Sequence, residues 1–219
     1  MSKIGWYAHR LVTLAVRNER RAAQIHWGTQ REYNRRPDKA DAIARSIHVA
    51  DWIKRLNPEC NPVVELGCNT ARNLAFVDVV YSSQAPRLVG VDVNKDALKR
   101  AKARNMRDFH TVNSSADMYV STAPPAGAII TMSAIDHMAD EEFDSLVRNL
   151  PKMARSLVMV ELYTGMEEQP GPFKYSRNLA EVFEGVGFET LNWAPMPVGQ
   201  YDPVKSPLFL YVGRNKKPL

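Results

Sequence analysis

The sequence predicts an α/β fold: a doubly wound, mostly parallel seven-stranded sheet with a final antiparallel strand, preceded by an N-terminal helical cap. Three observations carry that expectation. Short apolar runs alternate with segments of helix length, the spacing of parallel strands joined by crossovers. The first run, Val63-Val64-Glu65-Leu66, breaks at Gly67 into Cys68-Asn69-Thr70-Ala71-Arg72 and then a helical pattern. That strand–turn–helix order opens a ligand crevice in such sheets. The last two runs are joined by residues 194–207, too proline-rich for a crossover helix, so they pair antiparallel.

In chain order the strands are expected at 62–66, 87–92, 109–112, 127–131, 156–162, 189–193 and 208–212, and the helices at 71–80, 95–105, 140–154 and 176–186. Residues 1–57 precede the sheet and read as a helical extension or lid, with 58–219 as the sheet domain. Ile4, Tyr7, Ala8, Leu11, Leu14 and Ala15 recur at helical spacing. A second helix runs from Pro37 or Asp38 to about Leu56, with Asp38 in its first turn and Lys54 and Arg55 in its last, the polarity the helix dipole favours.

Composition narrows the class. The 219 residues suffice for one domain with a sizeable core and an extension. No apolar run approaches the roughly 18 residues of a membrane span, and no cationic start leads into an uninterrupted apolar stretch, so a secretory signal is not expected. Two cysteines, Cys60 and Cys68, make no disulfide framework and no metal site, which points to free thiols in a reducing cytoplasm. Residues 1–45 carry a net charge of +6 within a total of +5. Such a run is either a solvated helix face or a surface for an anionic substrate, nucleic acid or membrane. Trp27 and Tyr33 interleave with Arg31, Arg35 and Arg36, which suits a lid over a substrate; without a nucleic-acid module, nucleic acid is the weaker reading.

Several residues stand where chemistry is expected. Gly67 can take angles that a side chain forbids, Asn69 tolerates a left-handed conformation, and Ala71 is small enough for close helix packing. Cys68 serves that turn by its small size. Arg87-Leu88-Val89-Gly90-Val91-Asp92 ends in a carboxylate 21 residues beyond Ala71, where such folds grip a ribose diol; Val93 follows it.

These two motifs, ELGCNTARN and VGVDVN, resemble the first two motifs of class I S-adenosylmethionine-dependent methyltransferases. Asn69 and Ala71 replace two of that family's glycines. The resemblance covers residues 60 to 165 and implies a Rossmann-like domain with S-adenosylmethionine as cofactor. It implies that Glu65 lies near the methionine end and that Asp117 accepts from the adenine amino group with Met118 against the ring. It also implies that Ser133 and Ala134 line the methionine end. Asp117 also has a plainer reading, in an ordinary loop or as a helix-capping residue.

After the fourth strand, Asp136-His137 offers His137 as a general base for a hydroxyl, or as a structural imidazole. Glu161 and Tyr163 end the fifth strand, to orient and cover a substrate or as solvated strand-end residues. Lys174, Tyr175 and Arg177 follow a Pro-Gly-Pro loop as contacts for an anionic acceptor, or Tyr175 and Arg177 as ordinary helix-start residues. No dense Asp/Asn/His constellation suggests a metal, and no Asn-Pro-Pro-Tyr-like tetrad suggests DNA-base or glutamine methylation. A small-molecule or glycan acceptor remains, with oxygen preferred over nitrogen. A nicotinamide-dependent oxidoreductase is disfavoured by Glu65 and by the lack of a Tyr-x-x-x-Lys pair; a non-catalytic cofactor-binding domain stays open.

Overall fold

The computed structural model describes residues 40–56, 61–82, 85–165, 175–198 and 207–217. The first expected helix, the lid residues Trp27, Tyr33 and Arg36, and also Cys60 and Lys174 lie outside the described residues.

The described elements follow the expected alternation. They are α1 (Ala40–Leu56), β1 (Val63–Leu66), α2 (Arg72–Tyr81), β2 (Leu88–Asp92), α3 (Lys95–Lys102), β3 (Phe109–Asn113), α4 (Ala116–Thr122), β4 (Ala126–Met132), α5 (Asp140–Met153), β5 (Ala154–Leu162), α6 (Leu179–Gly185), β6 (Phe188–Pro195) and β7 (Leu208–Asn215). A single 3-10 turn, Ile135–His137, follows β4. The sheet order is β3-β2-β1-β4-β5-β7-β6. The first five strands pair in parallel, and β7 runs antiparallel to both β5 and β6.

Two apolar layers hold the sheet. Val49, Ala50 and Ile53 of α1, Leu74 and Val77 of α2 and Leu98 of α3 pack with Val63, Ile130, Val158 and Leu210. On the other face Val120 of α4, Phe143 and Leu146 of α5 and Phe183 of α6 pack with Leu66, Ile129, Met159 and Tyr211. Both faces of the central strands are therefore covered, as a parallel sheet requires. Helix α1 is part of this core, since Val49, Ala50 and Ile53 have no exposure at all.

Several strand ends lie two or three residues from expectation, and three differences in the helices have a local reason. Helix α3 starts on the Asn94 cap, whose side chain accepts from the Asp96 and Ala97 amides, but stops at Lys102; Asn105 then takes a left-handed φ of 52°. Helix α6 begins at Leu179 rather than 176, because the preceding residues are tied to other strands: the Tyr175 amide donates to the Asp136 carbonyl at 2.8 Å and the Thr164 amide to the Ser176 hydroxyl at 2.9 Å. Helix α4 stands where a loop was expected; seven residues with few large apolar side chains show no usable periodicity.

Candidate active site

The order β2-β1-β4 places a reversal of chain winding between β1 and β4, and the crevice beyond their carboxyl ends is where open α/β sheets bind ligands. The turn after β1 is built for close approach. Gly67, Asn69 and Ala71 all have positive φ, at 70°, 49° and 55°. Gly67 is obligatory for a second reason: a β-carbon there would lie 2.6 Å from the Ala134 β-carbon, on the β4 side of the crevice. Ala71 is the left-handed residue at the start of α2, and its methyl is fully buried. Packing thus offsets the steric cost of that conformation, about 1–2 kcal/mol for a non-glycine residue.

Asp92 connects this turn to the next. Its Oδ2 accepts from the Asn69 amide at 2.7 Å and its Oδ1 from the Asn94 amide at 2.8 Å, and the Val93 amide also points at it. Burial raises its pKa, and these three donors oppose the rise. Gly90 keeps the floor low, because a β-carbon there would meet the Cys68 sulfur at 2.8 Å. Burial pushes the Cys68 thiol well above the usual range, so this sulfur is a packing atom and not a nucleophile.

Glu65 is fully buried, and burial raises its pKa to about 8. Its Oε1 accepts from the Asn73 side-chain amide, and the Leu74 backbone amide also favours the ionised carboxylate. Its Oε2 has no hydrogen-bond partner among the described residues. Two residues that sequence reasoning missed complete this corner. Asn73 stands in the first turn of α2, and Ser46 interrupts the apolar stripe of α1; the Ser46 hydroxyl lies 2.6 Å from Asn73 Oδ1. A polar residue in an apolar helical stripe was the available signal.

Beyond β3, Asp117 is buried in the first turn of α4 and accepts from the Ser115 hydroxyl at 2.7 Å. Met118 beside it is 53% exposed, leaving its thioether open to a flat partner. On the β4 side, Ser133 takes a φ of 51° and its amide donates to Val160. Glu161, at the end of β5, reaches across: Oε1 accepts from the Ala134 amide at 3.2 Å and Oε2 from the Asp136 amide at 3.1 Å. Burial and the neighbouring Asp136 carboxylate raise the Glu161 pKa. His137 follows, its Nε2 3.5 Å from Asp136 Oδ1, with a side chain 17% exposed.

Arg177 grips the same turn from the far side. It donates to the Ile135 and Met138 carbonyls at 2.9 and 2.8 Å and to Asp140 at 2.8 Å, and lies over the Phe143 and Tyr175 rings. Its guanidinium is thus engaged inside the protein. Tyr163 turns outward over the sheet, its ring 5.1 Å from both Trp193 and Phe209; those two aromatic neighbours were not foreseen. Among the described residues no three His, Cys, Asp or Glu side chains converge as metal ligands.

Solved structures share this fold. The chain is similar to the N-methyltransferase NodS from Bradyrhizobium japonicum WM9, in complex with S-adenosyl-L-homocysteine, with a TM-score of 0.70 at 14% identity over 91% of this chain and 100% of that one. It is also similar to TehB from Haemophilus influenzae, with a TM-score of 0.61 and 16% identity, covering 77% of this chain but only 62% of TehB. The N-terminal domain of EvdMO1 with S-adenosyl-L-homocysteine bound gives a TM-score of 0.60 at 14% identity, over 78% of this chain and 81% of that one.

The fold is that of class I S-adenosylmethionine-dependent methyltransferases.

No family model and no curated protein matches the chain. The final antiparallel strand β7, between β5 and β6, belongs to the same architecture. Among the described residues no helix is long and apolar enough to cross a membrane.

Proposed function

We propose that this protein is an S-adenosylmethionine-dependent methyltransferase acting on a small-molecule or glycan acceptor. The observation that carries the reading is the row of acids along one sheet edge. Glu65 in β1, Asp92 at the end of β2 and Asp117 in the first turn of α4, after β3, lie toward the same sheet edge as a left-handed turn that brings backbone close to a ligand. That donor set fits the cofactor. A partly buried carboxylate suits a ribose diol, and a buried acid beside an exposed thioether suits an adenine ring. The partnerless Glu65 Oε2 suits an ammonium group.

When bound, the cofactor supplies an activated sulfonium methyl; the protein's share is alignment and exclusion of water. Gly67 and Ala134 bring the β1 and β4 turns together at the crevice, and Ser133 turns the chain there. His137 is the group proposed to take the acceptor proton, with Asp136 beside it. Glu161 fixes the amides of Ala134 and Asp136 and so sets where His137 stands. Tyr163 is the side chain on the β5 rim proposed to cover the acceptor. Trp27, Tyr33 and Arg36 remain proposed as a lid, and a basic lid would suit an anionic acceptor. A hydroxyl acceptor agrees with a histidine at this position; an N-methyl product would overturn that preference.

Calorimetric titration of S-adenosylhomocysteine into wild type and Asp92→Ala tests the reading. Micromolar binding that collapses in the variant supports it, and no binding to wild type overturns it.

A further inference from the structure

We infer that Ser46 and Asn73 are positioning residues for Glu65: a directional hydrogen-bond relay from Arg72 holds one carboxylate oxygen and presents the other to a cationic group of the cofactor. The inference rests on the methyltransferase reading above and adds helix α1 to the cofactor site.

Donor and acceptor counting sets the direction. The Ser46 hydroxyl has a single proton and lies 2.8 Å from the Ala42 carbonyl, 2.6 Å from Asn73 Oδ1 and 3.1 Å from Arg72 Nε. A guanidinium nitrogen only donates, so Arg72 occupies a lone pair of that hydroxyl. The proton is left for an acceptor oxygen, and Asn73 Oδ1 is the nearer one. With Glu65 ionised, this fixes the Asn73 amide with its carbonyl toward Ser46 and its NH2 toward Glu65 Oε1, the only orientation in which both contacts are hydrogen bonds to an acceptor carboxylate. The relay begins on a cation and ends on a carboxylate, so each bond strengthens the next. Ser46, Asn73 and Glu65 are all buried, at 0%, 4% and 1% exposure, so water does not compete.

The free end of the relay is Glu65 Oε2, a buried carboxylate oxygen with no hydrogen-bond partner among the described residues. Such an atom marks the place of a ligand donor. Other charged or titratable groups bear on Glu65 from each packed element. Arg72 on α2 favours its ionised form, Asp92 on β2 opposes it, and the Cys68 thiol lies within the intervening turn. Helix α1 contributes the Ser46 hydroxyl. Arg72 Nη2 also lies 4.0 Å from the Met132 sulfur, so the guanidinium spans from α1 to the end of β4.

The test is calorimetric titration of S-adenosylhomocysteine into wild type, Ser46→Ala and Asn73→Ala between about pH 6 and 9.5. Thermal unfolding of each ligand-free protein runs beside it. Ser46→Ala suits a helix interior and is expected to fold. The ligand amine sets the alkaline limb equally in all three proteins, so the acid limb is the readout. Wild-type affinity is expected to rise with pH as Glu65 ionises, toward about 8. Loss of the relay moves that limb up by about one pH unit, a tenfold loss of affinity below the midpoint, with less than about twofold change above it. Superimposed profiles, or the same loss at every pH, overturn the relay while leaving the methyltransferase reading intact. Absence of wild-type binding at any pH overturns that reading first.

Discussion

Gly67 and Ala134 meet where β1 and β4 leave the sheet: a β-carbon on Gly67 would stand 2.6 Å from the Ala134 β-carbon. The two turns that frame the crevice are therefore in contact, and neither can grow without moving the other. Gly67→Ala is expected to destabilise the fold by about 1–3 kcal/mol through overpacking and an unfavourable positive φ. The double variant Gly67→Ala/Ala134→Gly recovers the steric part and not the conformational part. Urea denaturation of the three proteins separates the two contributions.

Glu65 links pH to stability. Its folded pKa is raised from 4.5 to about 8. Between those values the folded protein holds a proton that the unfolded chain has released. Stability is therefore highest at the acid end of that window, falls as pH rises toward about 8, and levels off above it. Glu65→Gln keeps an acceptor for Asn73 and removes the titration. Its stability is expected to lose on the order of 5 kcal/mol of pH dependence relative to wild type. Urea midpoints at the two ends of the window measure this, and an unchanged pH slope in the variant would refute it.

Glu161 anchors the β4 turn by accepting from two amides. Glu161→Ala leaves both donors unpaired and is expected to cost about 2–4 kcal/mol of stability. S-adenosylhomocysteine affinity is expected to change less than about threefold, while methyl transfer falls by about tenfold or more because His137 loses its support. A collapse of cofactor affinity with unchanged turnover would place Glu161 in the cofactor pocket instead.

Arg177 separates a clamp from an acceptor contact. Three oxygen acceptors and two aromatic faces surround its guanidinium. Arg177→Lys retains the charge but not the planar fork, so it is expected to lose about 1–3 kcal/mol of stability. A lowered melting temperature marks the clamp; a raised acceptor KM with an unchanged melting temperature would mark an acceptor contact.

The elements were largely legible in the chain because local patterns cause them. Apolar runs bounded by turn residues became β1 to β7, α3 began at Lys95, and the Gly67 break began the crevice turn where expected. Helix α4 was missed because seven residues with a mixed face carry no period. The start of α6 was misjudged because residues 175–178 are held by bonds to Asp136 and Thr164, partners at the ends of other strands.

By itself the sequence determined which residues reach the carboxyl edge of the sheet: Glu65 and Asp92 stand toward the ends of apolar runs and Asp117 just after one, and the helix-length segments between the runs make the strands parallel. Only the tertiary structure decided what those residues touch. Burial left one oxygen of Glu65 without a partner and joined the other, through Asn73, to Ser46, 27 residues before Asn73 in the chain. The tertiary structure likewise turned Arg177 inward onto the turn after β4, 39 residues from the Met138 carbonyl it holds. Hydrogen bonds of a buried polar group are set by which elements are neighbours in space, and sequence spacing does not encode that neighbourhood.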